Sequence, residues 1–199
     1  VLLVLGAGGH ARPVIEALRA MGLAVAGALD DAARAPVLGV PVLGPLDSLG
    51  THGESAAVIA IGANALRARL GAACQARGLD LPNVIHPTAL LSPTARIGAG
   101  VQVMARAVIG PEAKLGDLTL VNTGAIVEHG CTLGTAAHVG PGAVLSGGVE
   151  VGTRVLLGAG AVVRPCCSIG ADALIGAGAA VVKDVAAGAR VGGVPARPF

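Results

Sequence analysis

From Ile97 to Val121 the chain reads IGAGVQ VMARAV IGPEAK LGDLTL V, a six-residue beat that places Ile97, Val103, Ile109, Leu115 and Val121 on one phase. The beat extends in both directions. Stepping by six from Ile85 to Val181 meets only Val, Ile or Leu. The position four further on, from Ala89 to Val185, holds only Ala, Val, Thr or Cys. A period of six fits neither the 3.6-residue helix nor simple strand alternation. It fits a prism whose faces are short strands joined by tight turns. The branched residue points inward at each face, and the small residue fills the interior at each corner. Gly often follows the branched residue, as in Ile97-Gly98, Ile109-Gly110 and Ile169-Gly170, where it is expected to relieve unusual turn dihedrals. Three hexapeptides close a triangular coil, and stacked coils bury a core that no single repeat can bury alone. Residues 85–186 therefore read as a parallel β-helix, with 187–199 as a C-terminal tail.

Composition agrees. Of 199 residues, 32 are Gly and one is Phe, with no Trp or Tyr. A core without rings has to be built from stacked small and branched side chains. The net charge is +2, with no basic run and no aromatic ladder, so nucleic acid is not an expected partner. Apolar runs such as Val1–Leu5 fall far short of the ~20 residues of a membrane span. No Cys pair has the C-x-x-C spacing of a zinc site, so no metal is expected. Adjacent Cys166 and Cys167 are badly placed to bridge each other, and all four cysteines read as reduced and structural. The chain opens in a strand-like run with neither a basic leader nor a cleavage site. The expected location is cytoplasmic, and the lack of an initiator Met suggests that a short piece precedes Val1.

Residues 1–80 have a different character. Val1–Leu5 reads as a buried strand, followed by the glycine turn Gly6-Ala7-Gly8-Gly9-His10. Val14, Ile15, Leu18 and Met21 give residues 11–21 a helical period, ended by Gly22. Leu23–Leu29 reads as a second strand closed by Asp30-Asp31. Val58–Ile61 is a third, with a helix near residues 65–77. Strands alternating with helices imply a small parallel α/β domain. Gly6-x-Gly8-x-x-Ala11, with Asp30 about twenty residues on, has the outline of a dinucleotide fingerprint. The domain is only about half the size of a full dinucleotide fold. Backbone N–H groups at a helix N-terminus bind any phosphate, so NAD, a nucleotide-sugar and a purely structural turn all remain open at this point.

Among the five histidines, His52 lies in a polar loop and His86 at the domain junction. His129 and His138 interrupt the repeat outside its core phase, so both are expected to face outward or lie at a corner. An imidazole so placed can act as a general base near neutral pH, or simply be a surface residue.

The order Gly6-Ala7-Gly8-Gly9-His10, Leu29-Asp30-Asp31, Ala60-Ile61-Gly62, Asn122, Glu128-His129-x-Cys131, His138 and Gly193-Val194-Pro195-Ala196 resembles the bacterial sialic-acid-type sugar O-acetyltransferases and the related UDP-4-amino-sugar and perosamine N-acetyltransferases. The resemblance spans essentially the whole chain. It implies a small Rossmann-like α/β domain ahead of a left-handed parallel β-helix, a homotrimer with intersubunit active sites, and acetyl-CoA as co-substrate. It makes His129 the general base. Asn122, His138, Gly147, Ala159, Gly176 and Ala177 fall where the family holds acetyl-CoA. Gly8, Gly9, His10, Asp30, Asp31 and Gly62 fall where it holds the nucleotide-linked sugar, and Asp30 is expected to accept hydrogen bonds from a uracil or ribose. One position departs from the pattern. The family usually places Asp or Glu directly after the catalytic His, and here that residue is Gly130. Without that partner the tautomer and orientation of His129 are less defined, and a strand sends Glu128 to the opposite face. The expected activity is acetyl transfer to the amino group of a nucleotide-linked sugar in surface-glycan synthesis. The alternatives are O-acetylation and a non-catalytic trimeric binding protein.

Overall fold

A computed structural model describes residues 1–199. In the repeat region, parallel pairing joins residues eighteen apart, as in Lys114 with Thr132, Leu120 with His138 and Ile126 with Val144. Three hexapeptides thus make one coil of a parallel β-solenoid. The first face carries strands from Val84–Ile85 through His138–Val139 to Leu174–Ile175, and is extended by Arg190–Gly192 and the antiparallel Arg197–Pro198. The second face runs from Leu90–Leu91 to Ala180–Val181, and the third from Arg96–Ile97 to Ser168–Ile169. Each face strand has two residues, the first outward and the second inward. From Val103 to Val181 the inward row is buried, and Ile85, Leu91 and Ile97 are partly buried in the first coil.

The corners correct one expectation. The glycines that follow the inward residue do not have positive φ. They are required because the next coil passes too close: a Cβ on Gly110 would lie 2.7 Å from the His129 nitrogen. The positive φ falls two residues later, at every sixth residue, and accommodates Arg106, Glu112, Arg154, Cys166 and Asp172 as well as glycine. Close approach and backbone conformation are separate demands in this repeat.

The N-terminal unit contains β1 (Leu2–Leu5), α1 (Ala11–Ala20), β2 (Gly27–Leu29), β3 (Val42–Gly44), β4 (Ala56–Ile59) and α2 (Asn64–Ala76). Its sheet is parallel, in the order β3-β2-β1-β4. The strand expected over Leu23–Leu29 shrinks to three residues, because pairing with β1 begins only where Gly27 meets Leu3. Leu23, Ala24 and Ala26 are exposed. The edge strand β3, hemmed by Pro41 and Pro45, is too short to show a period. The third strand begins two residues earlier than expected and ends at Ile59.

The two units share apolar cores. Val84, Met104 and Leu120 of the prism pack with Val14, Ile15 and Leu18 of α1. Leu118 and Ala136 pack with Leu70 and Cys74 of α2. The α/β unit therefore covers the upper first face and the corner leading to it from the third. The other two faces differ sharply. The outward row of the third is polar: Arg96, Lys114, Thr132, Glu150 and Ser168. The outward row of the second is apolar: Leu90, Val108, Ile126, Val144, Val162 and Ala180. Leu90 is 67% exposed and Val162 45%, and the rest of this apolar stripe is only partly buried. No helix is long and apolar enough to cross a membrane.

Candidate active site

The glycine turn after β1 and the loop after β4 run side by side. Gly6 has φ +105°, and a Cβ there would lie 2.9 Å from the Ala60 carbonyl oxygen, so only glycine permits this approach. Between the loops lies a cleft of about 330 Å³. All six residues expected at the sugar, Gly8, Gly9, His10, Asp30, Asp31 and Gly62, line it. The N–H groups of Gly8, Gly9 and His10 find no acceptor in the protein, and a Cβ on Gly8 or Gly9 would meet open space. The cleft floor is thus a row of free donors at the start of α1, where the helix dipole adds positive potential.

The two aspartates have different roles. Asp30 Oδ2 accepts the Ala7 N–H at 2.7 Å, and Oδ1 accepts those of Ala32 and Ala33 at 2.9 and 2.7 Å. Burial disfavours its charge, but these donors and Arg34 outweigh burial and hold its pKa below the usual carboxylate value. Oδ1 accepts two N–H groups and Oδ2 one, so Asp30 braces the glycine turn while lining the cleft in which it was expected to meet a base or ribose. Asp31 uses only Oδ1, to accept the Leu46 N–H at 2.9 Å, and is the aspartate with an oxygen to spare.

A polar seam joins the cleft to the prism. Gln102, 2% exposed, donates from Nε2 to the Ile59 carbonyl at 2.7 Å and faces His10 Nε2 with Oε1 at 3.0 Å. Its oxygen must accept, which puts the His10 proton on Nε2. Burial lowers the pKa of His10 and Arg67 adds to the effect, while the Gln102 bond opposes both. His138 projects outward from the first face, as expected, but the α/β unit covers it. Asn122 Oδ1 accepts the Thr123 N–H at 2.8 Å. Asn122 Nδ2 therefore donates to His138 Nε2, at 3.3 Å. His138 Nδ1 is then the protonated nitrogen. It faces the Gly62 backbone, which favours that proton, yet it is sealed from solvent without a well-formed hydrogen bond. Burial, then Arg67, then His10, push the His138 pKa down to about 4. The ring is neutral at ordinary pH.

Arg67 on α2 is the residue that sequence reasoning missed. It is 0% exposed. It donates to the carbonyls of Leu118, Ile61, Gly62 and Ala136 and to Asn64 Oδ1, at 2.8 to 3.0 Å, and no carboxylate reaches it. Burial lowers its pKa to about 10. In the sequence it is one of three arginines on or just after α2, with Arg69 and Arg77, and nothing local distinguishes it.

His129 lies at the corner between the second and third faces, exposed. No protein group hydrogen-bonds its ring, and Glu128, also exposed, does not reach it. Its imidazole packs against the next coil: a Cβ on Gly147 would sit 2.5 Å from both Cε1 and Nε2. The Gly147 N–H has no acceptor in the protein. Gly130 has φ +66° and occupies the ordinary left-handed corner position. Asn122, Ala159, Gly176 and Ala177 lie at a different corner, between the first and second faces, with His138 beside it. The expected acetyl-CoA residues therefore divide between the two edges of the apolar second face. No group of three or more His, Cys, Asp or Glu is placed to hold a metal ion.

The PglD N-terminal domain family matches residues 1–72. No curated protein is matched. Among solved structures, PerB from Caulobacter crescentus, in complex with CoA and GDP-perosamine, is 48% identical over 100% of this chain and 96% of its own, with a TM-score of 0.95. The chain belongs to the hexapeptide-repeat acyltransferases. Another similar acyltransferase structure is the acetyltransferase domain of PglB from Neisseria gonorrhoeae FA1090, 38% identical over 100% of this chain and 98% of that one, with a TM-score of 0.95. WeeI from Acinetobacter baumannii AYE is 27% identical over 100% and 99% of the two chains, with a TM-score of 0.93.

Proposed function

We propose that this acyltransferase moves the acetyl group of acetyl-CoA onto the amino group of a nucleotide-linked amino sugar. The observation that carries the reading is the cleft of free N–H donors between the Gly6–His10 and Ala60–Gly62 loops, in a chain 48% identical to a protein whose structure holds CoA and GDP-perosamine. Gly8, Gly9, His10 and Gly62 hold the sugar nucleotide, Asp31 takes a donor of its base or ribose, and Asp30 braces the turn. His129 is the general base. The amine attacks the thioester carbonyl, the C–N bond forms and His129 takes the amine proton. The C–S bond then breaks and the thiolate of CoA leaves with that proton. The unpartnered Gly147 N–H beneath the ring is the donor for the tetrahedral oxyanion. A neutral His138, with Asn122, Ala159, Gly176 and Ala177, lines the path of acetyl-CoA. A histidine base is supported by two related structures: the Caulobacter enzyme was captured with CoA and GDP-perosamine after a histidine was replaced by Asn or Ala.

The same geometry supports a reading of the assembly. The apolar second face is covered by neighbouring copies in a homotrimer, and such packing brings the His129 corner of one prism against the Asn122–Ala177 corner of the next. The active site is then intersubunit. The solenoid is left-handed, and the α/β unit is a Rossmann-like domain spanning residues 1–80. The β-helix domain spans 85–186 and the tail 187–199. The protein works in the cytoplasm, in surface-glycan synthesis. The bare corner at Gly130 leaves His129 without a carboxylate in its own protomer, which favours a non-catalytic binding protein as the second reading.

CoA release from acetyl-CoA, measured with GDP- and UDP-linked 4-amino sugars for wild type and His129→Ala, separates these. Turnover that falls by roughly 10²-fold or more in the variant supports the base. An inert wild type sinks the enzyme reading for those sugars, and an active variant sinks His129.

A further inference from the structure

We infer that Arg67 is a positioning residue that sets the polarity of the cleft, turning the Ile61–Gly62 and Gly62–Ala63 peptide groups so that their N–H ends face the anionic part of the ligand. The inference rests on the nucleotide-sugar reading of the cleft.

Arg67 Nη1 donates to the carbonyl oxygens of Ile61 and Gly62, both at 3.0 Å. Those oxygens point into the protein. A trans peptide places N–H opposite C=O, so the N–H groups of Gly62 and Ala63 point the other way. Neither has an acceptor in the protein, and Gly62 lines the cleft. The opposing loop offers the free N–H groups of Gly8, Gly9 and His10. A diphosphate between the loops thus meets donors from both sides. The charge matters as well. Burying a guanidinium is costly unless it is paired, and this one has carbonyl and amide partners but no carboxylate. An anion bound in the cleft, just beyond the loop that Arg67 holds, supplies the missing counter-charge. The bonds to Leu118 and Ala136 place the same guanidinium on the prism, so the cleft wall is fixed relative to the acetyl-donor side.

A purely structural Arg67, joining the two units, predicts a different pattern. Its loss would weaken every ligand alike through general loosening. A polarity-setting Arg67 predicts selective loss of charged ligands.

The test is calorimetric titration of the full chain with GDP, UDP, guanosine and uridine, for wild type, Arg67→Met and Arg67→Lys, with thermal melts alongside. The expected result is diphosphate binding weakened about tenfold or more in Arg67→Met, with nucleoside binding within about twofold of wild type. Arg67→Lys keeps the charge and recovers part of the loss. In turnover, KM for the sugar nucleotide rises while KM for acetyl-CoA holds. If Arg67→Met does not fold, Arg67→Lys carries the test. It reaches fewer carbonyls, so it still loses diphosphate selectively. Equal losses for diphosphates and nucleosides, or none, overturn the inference and leave the nucleotide-sugar reading standing. A wild type that binds neither diphosphate overturns that reading, and the inference with it.

Discussion

Replacing Gly147 with Ala tests how His129 is held. The corner has no carboxylate for the imidazole, and no other protein group hydrogen-bonds the ring. What holds the ring is a surface: the bare Cα of Gly147, one coil below. A methyl there would lie 2.5 Å from Cε1 and Nε2, whereas carbon and ring atoms rest about 3.5 Å apart or more. The imidazole must therefore move by about 1 Å or rotate off its seat. A misplacement of that size at a reacting group costs on the order of 10²-fold in rate, about 2.7 kcal/mol in the barrier. Gly147 does not have positive φ, so Ala strains no backbone torsion there, and the fold should survive. The N–H of residue 147 is also kept, so the oxyanion donor is not the variable. The assay is CoA release at saturating acetyl-CoA and sugar nucleotide, with a thermal melt as control. Gly147→Ala should lose roughly 10²-fold in kcat with little change in Tm. In a His129→Ala background the same substitution should cost nothing further, since residues that act as a unit are not additive. An unchanged kcat in Gly147→Ala would refute the seat. So would an equal loss in both backgrounds, which would assign Gly147 to the pantetheine arm instead.

Further outcomes follow from the polar groups of the site. The pKa of His138 falls from 6.5 to about 4 on folding, chiefly through burial. Between those values the unfolded chain binds a proton that the folded chain refuses, so stability drops as pH falls through that window. His138→Gln should flatten part of this slope in denaturant titrations across the window. A residual slope should persist from His10, which shifts in the same direction, and a slope identical to wild type would contradict the neutral-ring account. Asp30→Asn removes a charged acceptor for three backbone N–H groups. It should cost about 1 kcal/mol or more in stability and raise KM for the sugar nucleotide, whereas Asp31→Asn should affect KM with little change in stability. Equal melting of Asp30→Asn and wild type would show that the bracket is dispensable.

The seventeen-position phase from Ile85 to Val181 determined the prism, because a six-residue period with one inward branched residue has few other ways to bury itself. The outward rows, and with them the apolar second face, emerged only once strand pairing grouped residues eighteen apart into faces. The glycine turn and Asp30-Asp31 placed the cleft, since free donors at a helix start follow from local backbone chemistry. The short strand β3 and the late start of β2 were not legible, because their limits are set by pairing with β1 and not by any period of their own. The roles within the site depended on contacts between distant residues. Whether Asp30 meets a ligand depends on Ala7, twenty-three residues away. His138 is neutral because the α/β unit covers it. His129 is seated by a glycine one coil further on. Arg67 is the clearest case. Its sequence neighbours make it an ordinary helix arginine, and only the meeting of α2, the Ile61–Gly62 loop and the prism corner at Leu118 and Ala136 makes it a buried cation. Periodicity specifies a fold because it is repeated locally. Charge, protonation and orientation were decided by which groups the tertiary structure brings within a few ångströms of each other.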